Sequence, residues 1–459
     1  MPDVFSFRDP AGHIADFGDR IVRTVRRAAA DDLLAFLASV SSKSFCDLGL
    51  LVDTQAAGAD ATGDLLFEHE RIPFVSYPYE WCPEMLHAAA ELTLELAYGC
   101  IKEGFSLKDA TPYNVLFRGP HPVFVDLLSF ERRDPGDPTW LPYAQFVRTF
   151  LLPLLACRHL GFRLDQLMLA ERDGIDPEVM YRWLSWPQRL RSPFLSLVTM
   201  PKWLASRSHK AEATLYRKQS LSDYRQARFI FEHLLHGLRR QLQKTRPVSS
   251  RSTWSSYMEE HSYSVPGFKE KQAVVSEALR EFAPRAVLDI GCNTGHFSAM
   301  AARAGARTVA VDLDPAVIGR VWQLARSEGL DIQPLVVNLA RPTPAVGWRN
   351  SECRSFLDRA RGSFDAVMML AVLHHLLVTE RIPLDQVIDQ AADLTRDLLI
   401  LEFISPEDSM FRRIARGRDQ LHRDLTLARF EEACRRRFDI VRSVQLDGAT
   451  RWLYVLRKR

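Results

Sequence analysis

From Arg285 onward the chain alternates short, β-branched apolar runs with stretches of helical spacing. "RAVLDI", "RTVAV", "IQPLVV", "FDAVMML" and "DLLILEF" follow in turn, each separated from the next by helical sequence, and a helix at about 269–282 precedes them. A strand that returns parallel to its predecessor needs a long crossover, and a helix serves while covering the apolar face of the sheet. This half is therefore confined to a doubly wound, mostly parallel α/β sheet. "FDIVRSV" and "TRWLYVLRK" end the series with no helix between them, which predicts an antiparallel hairpin and a sheet of seven strands.

The first of these strands runs into "LDIGCNTGHFS". Asp289, Gly291 and Gly295 give D-x-G-x-x-x-G between a strand and a helix predicted over 297–304. The glycines permit a sharp turn and a close backbone approach, and the helix start presents free amide groups. Such a turn alone is equally a plain strand-to-helix connection. The second strand, however, ends in Asp312, 23 residues beyond Asp289, where a carboxylate can accept hydrogen bonds from both hydroxyls of a ribose. Asp314 and Pro315 supply a cap and a first-turn proline for the next helix. A dinucleotide fold would require G-x-G-x-x-G and would not end in a hairpin.

These residues resemble the class I S-adenosylmethionine-dependent methyltransferases. "VLDIGCNTG", "VAVDLD", "VVNLA", "FDAVMMLAVLHHL" and "LLILEF" occur in family order between about 265 and 459. The resemblance implies a Rossmann-like fold, S-adenosylmethionine as cofactor and methyl transfer as activity. It implies that Asp289, Gly291, Asn293 and Gly295 line the methionine part, that Asp312 holds the ribose, and that Asn338 meets the adenine. Two positions depart from the family pattern: Asn338 stands where Asp is common, and Asn293 where a glycine is often found. An amide oxygen can still accept a hydrogen bond from the adenine amino group.

Methyl transfer from a sulfonium is an in-line displacement, so the protein mainly aligns the acceptor and, for a hydroxyl, removes its proton. His374 and His375 follow the fourth strand, at the carboxyl edge where ligands of such sheets bind. They are the candidate bases, and Glu402 at the end of the fifth strand is another; packing or capping is the competing role for the histidines. The absence of an Asp/Asn-Pro-Pro-aromatic run and of a Pro-Cys pair after the fourth strand disfavours base amines and cytosine C5 as acceptors.

Residues 1–140 read as an α+β domain. "GHIADFGDRIVRTV" suits two strands and a turn, "PEMLHAAAELTLELAYGCIKEG" a helix closing at Gly104, and "YNVLF" and "PVFVDLLSF" strands around "RGPHP". In "SLKDATPYNVLFRGPHPVFVDLLSFE" Asp109 and Asn114 stand D-x-x-x-x-N, and Asp126 follows twelve residues later. That resembles the catalytic loop and metal-binding strand of protein kinases and related small-molecule phosphotransferases, and implies Mg-ATP as a second ligand. No glycine-rich phosphate loop or V-A-I-K strand is visible, although Arg23 could stand in the place of the lysine.

Residues 141–250 form a helical, basic connector, and 251–459 the methyltransferase domain, with the boundary near 245–255. Between Arg189 and Arg251 stand fourteen Lys or Arg against three acids. In its last helix Ser220 is the expected N-cap, with Tyr224, Phe231, Leu234, Leu238 and Leu242 on the inward face.

The chain of 459 residues carries a formal charge of only +3, which gives it no general attraction to nucleic acid. Seven scattered cysteines without a C-x-x-C pair, and no run near the ~18 apolar residues of a membrane span, predict a cytoplasmic protein without a disulfide framework or zinc site. Taken whole, the chain is similar to bacterial methyltransferase-like proteins associated with nodulation and surface-glycan genes. The expected function is methyl transfer to a small-molecule or glycan-type acceptor. The competing expectations are an RNA methyltransferase using the basic connector, a bifunctional kinase-like enzyme and methyltransferase, and a scaffold with vestigial sites.

Overall fold

The computed structural model describes residues 3–6, 8–207, 220–247, 265–446 and 450–459. The chain divides into two compact units, 1–117 with 122–248, and 118–121 with 249–459. The expected boundary at 245–255 falls largely outside the described residues.

The N-terminal unit begins with strands β1 (Asp3–Ser6), β2 (Gly12–Asp16) and β3 (Ile21–Val25), followed by helices Ala30–Leu37 and Val40–Asp47 and by strands β4 (Thr54–Ala59) and β5 (Leu65–His69). They form one antiparallel sheet in the order β1-β2-β3-β5-β4. Val22 and Val25 are buried in the middle of it, whereas the small and polar residues of β4 stand exposed along an edge. The expected helix runs over Pro83–Cys100, opened by a proline whose missing amide costs nothing there. One tighter turn follows, and Gly104 ends it with φ 80°, a conformation only glycine adopts at little cost.

"YNVLF" yields β7 (Val115–Arg118), which pairs with β8 (His121–Phe124), while β6 (Phe105–Leu107) pairs with β9 (Phe130–Arg132). "PVFVDLLSF" is thus not one strand: it stops at Phe124, turns tightly through Leu127–Ser129 and resumes as β9. Phe130 explains the break, because it stacks on Phe36 at 3.8 Å and 10° and meets Phe124 edge-on. Helices over Leu152–Leu160, Leu164–Ala170, Pro177–Trp183 and Met200–Arg207 follow, and residues 141–247 pack in the same unit as the strands before them.

The helix Tyr224–Lys244 closes the unit, and its start differs from expectation. Asp223, not Ser220, is the N-cap, its carboxylate accepting hydrogen bonds from the amides of Arg225 and Gln226. Three residues of the chain thereby fall outside the helix. The buried stripe is Ala227, Phe231, Leu235, Leu238 and Leu242; Leu234 is half-buried and Tyr224 is exposed.

The C-terminal unit is led by helix Val265–Phe282 and contains β10 (Ala286–Ile290), β11 (Arg307–Asp312), β12 (Ile332–Val336), β13 (Phe364–Met369), β14 (Thr395–Ile404), β15 (Phe438–Gln445) and β16 (Arg451–Lys458). Their order is β12-β11-β10-β13-β14-β16-β15, parallel through β14, with β16 antiparallel to both of its neighbours. The seven strands and the terminal hairpin are as the alternation of the sequence required. Helices cover both faces, so the central strands are buried almost throughout. Val275, Ala278 and Leu279 of the leading helix close over Val287, Met368, Ile400 and Leu453. Among the described residues no helix is long and apolar enough to cross a membrane.

The cap difference is measurable. Asp223→Ala should cost about 0.5–2 kcal/mol of helix stability and lower hydrogen-exchange protection in the first turn of Tyr224–Lys244. Ser220→Ala should leave that protection unchanged.

Candidate active site

The turn after β10 is shaped by three left-handed residues in five, Gly291 at φ 69°, Asn293 at 48° and Gly295 at 83°. A side chain at position 291 would drive its Cβ to 2.1 Å from the Val372 side chain, and at 295 to 3.0 Å from Val321. Position 293 needs the same conformation without glycine, and asparagine is among the few residues that adopt it readily. Its side-chain oxygen accepts a hydrogen bond from the amide of Thr294 at 2.6 Å. Asn293 thus holds a left-handed conformation without a glycine.

That turn also makes a carboxylate contact. The amide of Asn293 donates to Asp312 Oδ2 at 3.1 Å, and that of Asp314 to Oδ1 at 3.0 Å. Asp314 caps the helix Pro315–Glu328 through Ala316, as expected. Asp289 is buried and accepts from the Ser298 hydroxyl at 2.5 Å, which ties β10 to the helix His296–Arg303. Burial pushes both carboxyls up to about 6, against the Ser298 bond and nearby Lys271 for Asp289, and against the backbone amides of Asp314 and Asn293 for Asp312. An unfolded aspartate ionises near ~3.9. Each acid therefore withdraws stability as pH rises from about 4 to about 6, and the loss is constant above that. Asn338, beyond β12, holds its own turn by accepting from Ala340 at 2.9 Å.

His374 and His375 stand where β13 gives way to the turn His375–Thr379, their rings 4.3 Å apart. His374 is only 2% exposed, and its Nδ1 has no hydrogen-bond partner among the described residues. Burial, aided by His375 and Arg451, holds it well below the ordinary histidine value; burial alone lowers His375. His375 is half-buried. Glu402 lies fully buried on β14 and forms an ion pair with Lys271 at 2.7 Å.

Lys271 escaped the sequence reading, as did the pair of Asp408 with Arg451, whose Nε lies 2.8 Å and Nη2 3.2 Å from the carboxylate. Lys271 carried a legible signal, since it stands three and four residues before Val274 and Val275 on the buried stripe of its helix. That its partner would be Glu402, 131 residues away, carried none.

In the N-terminal unit the structure joins two of the other three acid and amide positions, Asn114 and Asp126, through Ser129. Arg23 Nη1 pairs with Asp126 Oδ1 at 2.9 Å, and the Ser129 hydroxyl donates to Asp126 Oδ2 at 2.6 Å. Asn114 Nδ2 donates in turn to Ser129 at 3.0 Å. Asp109 is raised by burial and, after it, by the charge of Asp126. Arg23 Nε donates to His69 Nε2 at 3.2 Å, and burial, with Arg23, lowers His69 to about 3. Among the described residues no group of three His, Cys, Asp or Glu has a metal-binding arrangement.

Residues 266–446 match a family model described as a methyltransferase domain. Over 464 aligned positions the chain is 30% identical to the nodulation protein NoeA of Rhizobium meliloti (strain 1021), covering 99% of this chain and 95% of that protein. This chain belongs to the NoeA family. Its C-terminal unit makes this NoeA-family member an S-adenosylmethionine-dependent methyltransferase. Among solved structures it is similar to the N-methyltransferase NodS from Bradyrhizobium japonicum WM9 in complex with S-adenosyl-L-homocysteine, at 18% identity and a TM-score of 0.32, covering 45% of this chain and 99% of that one. It is also similar to the bifunctional kinase-methyltransferase WbdD, at 18% identity and a TM-score of 0.31, covering 44% and 41% respectively.

The buried ion pair in this NoeA-family sheet gives a test. Lys271→Met should cost about 3–5 kcal/mol by stranding the Glu402 carboxylate in the core. The double change Lys271→Met with Glu402→Gln should recover part of the lost thermal stability.

Proposed function

We propose that this chain transfers a methyl group to a small-molecule or glycan-type acceptor at the carboxyl edge of its seven-stranded sheet. The single observation carrying the site is the Asn293–Asp312 contact, which sets a carboxylate at the strand end beside a left-handed turn. The residues fit S-adenosylmethionine: each oxygen of Asp312 already accepts one backbone amide and has capacity for a ribose hydroxyl besides. Gly291, Asn293 and Gly295 expose backbone to the methionine part. Asp289 keeps that backbone in place through Ser298, and Asn338 meets the adenine beside β12. When bound, the cofactor supplies a methyl carbon already activated by its sulfonium.

His375 is the better placed of the two histidines to take a proton from an acceptor hydroxyl, being half-buried and neutral near pH 7. His374 lies beneath it and positions it. Glu402, engaged with Lys271, acts through that pair to steady the leading helix. Kinship with a nodulation protein is in keeping with a glycan-type acceptor.

The cofactor assignment has a pH signature. Ribose hydroxyls favour the ionised form of Asp312, whose value without ligand is raised to about 6. Affinity for S-adenosylhomocysteine should rise between pH 5 and 7, roughly tenfold per unit per proton released well below the apo value, and level off above. Calorimetric titration of Asp312→Ala at pH 7.5 should show at least about tenfold weaker binding, the scale of a lost charge-assisted contact. Parental affinity in a folded variant would remove Asp312 from the site.

A second reading is favoured by the Arg23–Asp126–Ser129–Asn114 chain of contacts. The N-terminal unit is kinase-like, with Asp126 and Asn114 holding magnesium on a nucleotide and Asp109 facing the hydroxyl to be phosphorylated. Full-length protein should then bind ATP only with magnesium, and Asp126→Ala should abolish that binding while Asp109→Ala spares it. Absence of magnesium-dependent nucleotide binding would leave a module that presents the acceptor.

A further inference from the structure

A cavity of about 550 Å³ opens in the C-terminal unit between the turn that carries the histidines and the segment after β14. Leu377 and Val378, two and three residues beyond His375, form part of its wall. Val378 also packs on Ile404, Phe411 and Ala415, so the cavity lies at the carboxyl ends of β13 and β14. Ligands of open α/β sheets bind along this edge. The volume is within the range of small-molecule sites.

The charges around it are one-sided. Arg381, Arg416, Arg418 and Arg429 line the cavity with His422, against a single acid, Asp424. Arg429 is neutralised by Asp385 and Glu432. The neighbouring surface is paired in the same manner: Arg435 holds Glu431, Arg436 holds Asp385, and Arg437 holds Asp389 and Asp393. Arg381, Arg416 and Arg418 break that habit, for their guanidinium groups have neither ion pair nor hydrogen bond among the described residues. Arg381 and Arg416 moreover sit at φ 57° and 49°, where an arginine costs more than glycine or asparagine would. The remaining wall is apolar, with Ile382, Ile414 and Leu425.

A concave site with three unneutralised guanidinium groups and an apolar floor suits a ligand with one anionic group joined to an apolar part. The geometry points to this cavity as the acceptor's anchoring site, binding a phosphate or carboxylate group of the methyl acceptor through Arg381, Arg416 and Arg418. This inference rests on the reading of the sheet edge as the acceptor side of a methyltransferase, and it narrows the acceptor to an anionic amphiphile. The three arginines are positioning and specificity residues that do not touch the reacting atoms.

The test titrates full-length protein, saturated with S-adenosylhomocysteine, with n-hexyl phosphate, hexanoate and hexanol, followed by ligand-observed NMR. At least one anionic probe should bind ten times tighter than hexanol or better, and weaken with added salt. Which one does so separates a phosphate from a carboxylate acceptor. Arg381→Ala combined with Arg418→Ala should erase that preference tenfold or more while S-adenosylhomocysteine affinity stays within twofold, which also certifies the fold. Lysine at both positions should keep part of it. Equal binding of hexanol and both anionic probes, no binding of any anionic probe, or an undiminished preference in the double variant overturns the inference. Failure of the parental protein to bind S-adenosylhomocysteine would instead overturn the cofactor reading, and the three probes would then be compared without it.

Discussion

Asp289, buried near the end of β10, and Asp312, half-buried at the end of β11, stand on neighbouring strands, and both carboxyls are hydrogen-bonded within the methyltransferase unit. A buried carboxyl must be hydrogen-bonded or neutral. Asp312 meets this by accepting from two amides, those of Asn293 and Asp314, the first of them in the left-handed turn after β10. Asp289 meets it through Ser298 and the nearby charge of Lys271, which in turn requires Glu402. The turn after β10, the leading helix and the fifth parallel strand are consequently coupled by charge as well as by packing.

Much of this unit was legible because its signals are local. Strand-to-helix alternation fixed seven strands, a glycine spacing marked the turn, and an acid at a strand end marked its partner. What escaped was of two kinds. Lys271 with Glu402, and Asp408 with Arg451, join residues far apart in sequence, and no periodicity announces which distant acid a buried cation will meet. The N-cap of the Tyr224–Lys244 helix escaped for another reason. Ser220 and Asp223 are both good caps by residue type, and the distinction lies in a distant contact: the amide of Leu221 donates to the carbonyl of Gly136 at 2.8 Å, outside the helix that Asp223 caps.

The N-terminal unit was legible as spacing but not as connection. Asp109, Asn114 and Asp126 were visible in one short stretch, and Arg23 as a residue that could stand in the place of the kinase lysine, but not as the partner of Asp126. The fold supplies the link, as Arg23 reaches across 103 residues to Asp126 while also occupying His69. The aromatic stack of Phe36 on Phe130 holds the segment that carries Ser129, the hinge of the contact chain.

The position of β16 has a kinetic side. Among the described residues β15 has no partner in the sheet except β16, which itself lies between β15 and β14. During vectorial synthesis on the ribosome, β15 emerges before the only strand it can pair with. Until residues 451–458 arrive, β14 presents an open apolar edge, its Leu399, Ile400 and Leu401 without the neighbours that later bury them. Until β16 arrives the nascent unit thus carries a strand edge suited to non-native pairing, and it closes by inserting a strand rather than by adding one.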